Sequence, residues 1–259
     1  MRFGTGRRSP TPLAKATVWL LVVGVVGLQI AYPVTDGDRR DALTVAIVAC
    51  FAGACALHSA FYRGPIWAFV FAVVTLGFAL GVEVIGVHTG KPFGDYEYGD
   101  HLGSAVFGVP LLVPLAWLMM SYPSLVVARR LSARRLVQIL VGGWSLMSWD
   151  LFLDPQLTKA DQWRWAHPSP HLHGVQRVPI SNFLGWLIAG LVLMTLLSLL
   201  PQRRSDDRAP TALWLWTWLS SMLAFVAFFD EPWVAVWGGV AMALVAIPLV
   251  VSITASPPP

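Results

Sequence analysis

Residues 64–100 read GPIWAFVFAVVTLGFALGVEVIGVHTGKPFGDYEYGD. Residues 64–82 carry no charge; then comes Glu83, and then glycines at 86, 90, 94 and 99, set among His88, Lys91, Asp95, Tyr96, Glu97, Tyr98 and Asp100. A helix crosses the hydrocarbon core of a bilayer with about 20 apolar residues, so the run reads as a membrane span. A carboxylate inside a span is costly, faces the protein interior and marks a functional site by default. The polar, bendable segment after Glu83 supplies what such a site needs around it.

The rest of the chain has the same texture. Of 259 residues 56% are hydrophobic and 12% charged, where an ordinary soluble domain has about a quarter charged. Uncharged runs cover 16–35, 42–62, 64–82, 102–128, 178–202, 209–229 and 232–259. The run 136–149 becomes a span once Asp150 is admitted and the helix continues to Leu153. The expected fold is all-α, a polytopic integral membrane helical bundle of about eight transmembrane helices. Their expected bounds are 13–33, 42–61, 65–87, 105–127, 136–153, 182–200, 211–229 and 232–252. They form a single transmembrane domain, 13–252, with a disordered N-terminus at 1–12 and a disordered tail at 253–259. The first run is longer than a signal-peptide core and lacks a small-residue cleavage site, so it reads as a retained span.

Lys and Arg set the orientation. With the N-terminus inside, the inner segments hold twelve of the 18 basic residues, among them Arg129, Arg130, Arg134 and Arg135. This places both termini in the cytoplasm, and the expected location is the cell membrane of a prokaryote. The basic balance then reflects contact with membrane lipid; no motif points to nucleic acid. Cys50 and Cys55 lie five apart in one expected helix and point different ways, so they read as small buried residues and not as a bridge. The sequence has no zinc-ligand spacing, no phosphate-binding glycine loop and no nucleophile elbow. His167, His171 and His173 sit among prolines in a loop, with no helical His pair to complete a site, and no metal is assigned.

In this topology the spans that carry Glu83 and Asp150 run the same way, so the acids gather on one side. Asp150 and Asp154 are four apart and share a face if the helix persists that far. Asp154 precedes Pro155, so it reads equally as a helix-terminating neighbourhood. Asp95, between Gly94 and Tyr96, reads as a turn residue or as chemistry. Asp230 and Glu231 read as interfacial charges. Trp144, Trp149, Trp163, Trp165, Tyr96 and Tyr98 accompany the acids. An interfacial aromatic belt explains part of them; the others would line a groove for a long apolar substrate or face a cation.

The segment EVIGVHTGKPFGDYEY (83–98), with GVPLLVPLAWLMM (108–120), WDLFLDP (149–155), WRW (163–165) and VPISNFLGW (178–186), resembles the carotenoid biosynthesis protein family, which includes carotenoid hydratases of the CruF type. Glu83, Thr89, Gly90, Pro92, Phe93, Gly94, Tyr96 and Tyr98 fit its first motif. Asp150, Asp154, Pro155, Trp163 and Trp165 fit the second, and Pro179, Asn182, Gly185 and Trp186 the third. The loop HPSPHLHGVQRVP departs from the family's more usual aromatic-Gly-Val-Pro approach to the Asn.

The resemblance implies a hydro-lyase of the carotenoid 1,2-hydratase type. It would add water to the terminal double bond of an acyclic carotenoid or related polyisoprenoid, giving a tertiary alcohol without a cofactor. Such chemistry needs a proton delivered to carbon and a second group to activate water. Glu83 and Asp150 are the expected acid–base pair, with Asp154 and Asp95 in reserve. His88, Thr89, Tyr96, Tyr98, Trp144, Trp149, Trp163, Trp165, Asn182 and Trp186 are expected to bind substrate, Asn182 by holding the water. The rival reading of converging intramembrane acids is a carotenoid carrier or a proton-coupled transporter, although the halves of the chain show no repeat.

Overall fold

A computed structural model describes residues 10–203 and 205–255; the disorder expected for 1–9 and 256–259 lies outside them. Among the described residues, eight helices are long and apolar enough to cross a membrane. They are α1 (Pro12–Ala31), α2 (Gly37–His58), α3 (Pro65–Thr89), α4 (Leu112–Leu131), α5 (Arg135–Lys159), α6 (Ile180–Leu197), α7 (Arg208–Ala227) and α8 (Pro232–Thr254). The protein is therefore an all-α polytopic membrane bundle. A π-helical turn, Ser59–Arg63, extends α2. α1 starts at a Thr11 cap whose hydroxyl accepts from the Ala14 amide, with Pro12 in the first turn, where a missing N–H costs nothing.

Two ends differ most from the expected bounds. α4 begins at Leu112, not near 105, because Ala105–Val106 (β2) and Val109–Pro110 (β3) form a small hairpin. Its turn residues Phe107 and Gly108 both have positive φ, the backbone of a tight two-residue hairpin. α5 does not stop at 153. It runs through Pro155 to Lys159, so Asp154 belongs to a continuous helix and not to a helix end.

α4 and α5 are the most enclosed helices, and α1 and α3 the least. α5 packs against α4, α6 and α8, and α3 packs against α4 and α6. The α5–α6 contact is close because it is built on glycine. A Cβ at Gly143 would lie 3.0 Å from the Leu191 amide nitrogen, and one at Gly190 would lie 3.1 Å from the Gly143 carbonyl oxygen. Such small residues let helix backbones approach in a bilayer, where apolar burial gives helices no preference for each other over lipid. Large apolar side chains such as Leu20, Phe69, Leu219 and Ile247 stand exposed on the outer faces, as lipid contact allows. At one end of the bundle, Tyr96–Tyr98 (β1) pairs antiparallel with Trp163–Trp165 (β4). This pairing ties the α3–α4 connection to the α5–α6 connection.

Candidate active site

The ribbon of β1 and β4 is the local device that builds the site. Successive strand side chains point to opposite faces. In Tyr-Glu-Tyr and Trp-Arg-Trp, that alternation puts four rings on one face and Glu97 and Arg164 on the other. The register sets Tyr96 opposite Trp165 and Tyr98 opposite Trp163, with ring centres 5.8 and 5.7 Å apart. On the outer face Glu97 and Arg164 meet at 3.3 Å, both exposed, a contact worth little.

The ribbon's inner face reaches Glu83, which is buried on α3. Tyr96 Oη donates to Glu83 Oε2 at 2.5 Å and Tyr98 Oη donates to the same oxygen at 2.7 Å. Trp117 Nε1, from α4, donates to Oε1 at 3.0 Å. Burial, and after it the Glu83 charge, hold both phenols above their usual range, so they stay protonated and donate. Gly86, one turn beyond Glu83, makes the approach possible: a Cβ there would stand 2.7 Å from Tyr96 Oη. Gly185 does the same for the loop above it, because a Cβ would meet the Pro92 carbonyl oxygen at 2.8 Å.

A second carboxyl centre lies on α5. Asp150 and Asp154, four apart on the continuous helix, are both buried. Asn182, in the first turn of α6, donates through Nδ2 to Asp150 Oδ2 at 2.9 Å and also to Asp154 Oδ2. Both amide hydrogens are thereby engaged, so Asn182 bridges the acids instead of donating to a water. Asp150 Oδ1 has no hydrogen-bond partner among the described residues.

Between the two centres lies an indole stack. Trp117 and Trp186 are parallel with centres 4.1 Å apart, and Trp149 meets Trp186 edge-on at 6.0 Å. Glu83, Asp154, Asn182 and these three indoles all line one cavity of about 140 Å³, part of it open to the surroundings. Tyr96, Tyr98, Trp163 and Trp165 line it as well.

The two acids of the expected pair are placed differently. Asp150 is fully buried behind Asn182 and is not part of the cavity wall, whereas Asp154 is. Asp95 is exposed, because strand alternation turns it away from the face that carries Tyr96. His88 and Thr89 are exposed at the end of α3 and bond carbonyls of their own helix, those of Val84 and Ile85. Trp144 donates to the Ala241 carbonyl of α8 at 2.8 Å; ten residues before Asp154, it lies about 15 Å away along the helix. These four side chains do not reach the cavity. Trp117 does, and it is absent from the expected set. It is the one side-chain hydrogen-bond donor in LLVPLAWLMM (111–120), and the need of a buried acid for donors is the signal that points to it.

Eight spans, seven of which line a cavity walled by indoles and carboxyls, define a polytopic membrane protein with a candidate site inside the bundle. The chain belongs to the carotenoid biosynthesis protein family, whose sequence profile matches residues 42–253. It is similar to the bisanhydrobacterioruberin hydratase of Haloarcula japonica, 31% identical over 124 residues, a stretch covering 46% of this chain and 41% of that protein. No solved structure matches the chain.

Proposed function

We propose that this protein is a carotenoid hydratase, adding water to a terminal carbon–carbon double bond of an acyclic carotenoid by acid–base catalysis. The observation that carries the reading is the placement of Glu83 and Asp154 on the wall of one aromatic cavity, with Asn182 bridging Asp154 to the buried Asp150. Its family and the hydratase name of its relative support the same reading.

The chemistry follows from what each group offers. Two carboxylates bridged by one amide repel each other, and one proton kept between them relieves that repulsion. Asp154, the member on the cavity wall, delivers this proton to the less substituted carbon of the double bond. The electron pair of the double bond forms the new C–H bond and leaves a tertiary cation. Trp186 and its neighbours present ring faces to that cation, an attraction that grows when water is excluded. Glu83 has three donors about it, the environment an ionised carboxylate requires. It orients a water and takes a proton as the oxygen bonds to carbon. Alkene plus water gives alcohol, so no electrons are exchanged and no oxidant is consumed.

The test is pigment chemistry. Acyclic carotenoid extracted from a host carrying the gene should gain the mass of one water at a reacting end, and pigment from the empty host should not. Unchanged pigment whose distribution between membranes differs would instead indicate a carrier.

A further inference from the structure

The cavity continues beyond the carboxyls to a wall that the mechanism above leaves unused. On α7, Thr217, Ser220 and Ser221 line it, together with Gln29 of α1 and Thr44 of α2. Residues three and four apart share a helix face, so the α7 hydroxyls form one stripe. Thr217 lies ten residues from the end of α7 at Ala227, about 15 Å at 1.5 Å per residue, near the middle of a bilayer.

These groups are not satisfied by one another. Thr217 and Thr44 donate to carbonyls of their own helices, those of Leu213 and Arg40, at 2.9 and 3.0 Å. Each hydroxyl oxygen keeps acceptor capacity toward the cavity. Gln29 accepts from Trp216 Nε1 at 2.7 Å, which leaves its amide hydrogens for another partner. The Ser221 hydroxyl has no protein partner among the described residues. Polar groups at membrane depth are costly unless paired, and a cavity holds water where several polar partners converge.

We propose that this stripe is a hydrated wall that stores and positions the water consumed at the carboxyl centre. The proposal rests on the hydratase reading for the use of the water, but not for its presence. Thr217 and Ser221 are positioning residues: they hold water where the cation will meet it, and take no part in proton delivery.

Presence is tested by cysteine accessibility in membranes, because a water-soluble methanethiosulfonate attacks a thiolate, which forms only in contact with water. Ser221→Cys should be modified at least about ten-fold faster than Leu219→Cys, which lies at similar depth on the lipid face. Modification read residue by residue from peptide masses leaves Cys50 and Cys55 in place. Equal, slow modification at both positions would overturn the proposal.

Use is tested in D2O. Protonation without capture returns substrate carrying deuterium, so the ratio of hydrated product to deuterated substrate reports capture alone. Thr217→Val/Ser221→Ala should lower that ratio at least about ten-fold while deuterium entry persists, and Ser221→Thr should retain it. A parallel fall of both would mean a structural role and refute the proposal. So would a loss confined to the KM of substrates bearing their own hydroxyl, since the wall would then read substrate. Fast labelling of Ser221→Cys in a chain that hydrates no carotenoid would count against the hydratase reading while upholding the hydrated wall.

Discussion

Gly86→Ala should slow hydration through a single displaced hydroxyl. In the interior of α3 an alanine is intrinsically better than glycine by about 0.5–1 kcal/mol, so the local helix term favours the variant. The contact opposes it. The new Cβ would stand 2.7 Å from Tyr96 Oη and 3.0 Å from the Phe93 ring. The hydroxyl must therefore retreat by about 0.7 Å to restore an ordinary van der Waals separation of 3.4 Å. Tyr96 is held by its strand pairing to Trp165, which restrains the backbone from following. The movement falls on the 2.5 Å bond to Glu83. A hydrogen bond to a charged group is worth about 1.5–3 kcal/mol, and if the bond serves the transition state its loss slows the reaction roughly 10- to 150-fold. The assay is conversion of acyclic carotenoid, normalised to membrane-inserted protein, in a double-mutant cycle with Tyr96→Phe. That variant removes the contact at 2.7 Å and leaves the looser ring contacts at 3.0 and 3.2 Å, so Gly86→Ala should cost clearly less in its background. Equal, additive costs in both backgrounds would refute the reasoning, because the damage would then not pass through the Tyr96 hydroxyl.

Four further expectations are independent of that cycle. Glu83→Gln, Asp150→Asn and Asp154→Asn should each abolish hydration with the protein still inserted, whereas Asp206→Asn, which removes an ion pair with exposed Arg208, should match wild type; near-normal conversion by all three would leave the acids a structural role only. Asp95→Asn and Trp144→Phe should keep conversion near wild type, since neither side chain reaches the cavity, and a large loss from Asp95→Asn would reinstate it as a site residue. Tyr96 and Tyr98 have raised phenol values, so their protonated forms stabilise the fold fully below the ordinary value of about 10, and that stability should be lost only as pH rises beyond it; a denaturation midpoint that falls between about pH 7 and 9 in the wild type and not in the Tyr96→Phe/Tyr98→Phe variant would contradict this. A reporter fused after Pro259 should read as cytoplasmic, as the distribution of Lys and Arg implies.

The sequence alone determined the eight spans, because a bilayer requires continuous apolar runs and hydropathy is a property of the chain in one dimension. It also placed Glu83, Asp150 and Asp154 toward one end of the bundle, since spans that run in the same direction carry their C-terminal ends to the same side. That Tyr-Glu-Tyr and Trp-Arg-Trp form strands and pair was not legible. Direction around each helix axis was not legible. Successive residues turn by about 100° around a helix of 3.6 residues per turn. Whether Asp150 or Asp154 meets the cavity therefore depends on how α5 is turned against α6, which is set by glycine contacts at 142, 143 and 190. Pro155 reads as a helix end because the rule for proline is local, while the packed bundle carries α5 past it. Trp117 stayed hidden because an indole in an apolar run looks like any other apolar residue until a buried carboxylate is brought to its N–H. Asp95, His88 and Thr89 sit in motif-bearing sequence, yet strand alternation and the last turn of α3 send them outward. What only the tertiary structure decided was therefore which groups share the cavity. That sharing arises from contacts between segments far apart in the chain, and no local pattern encodes it.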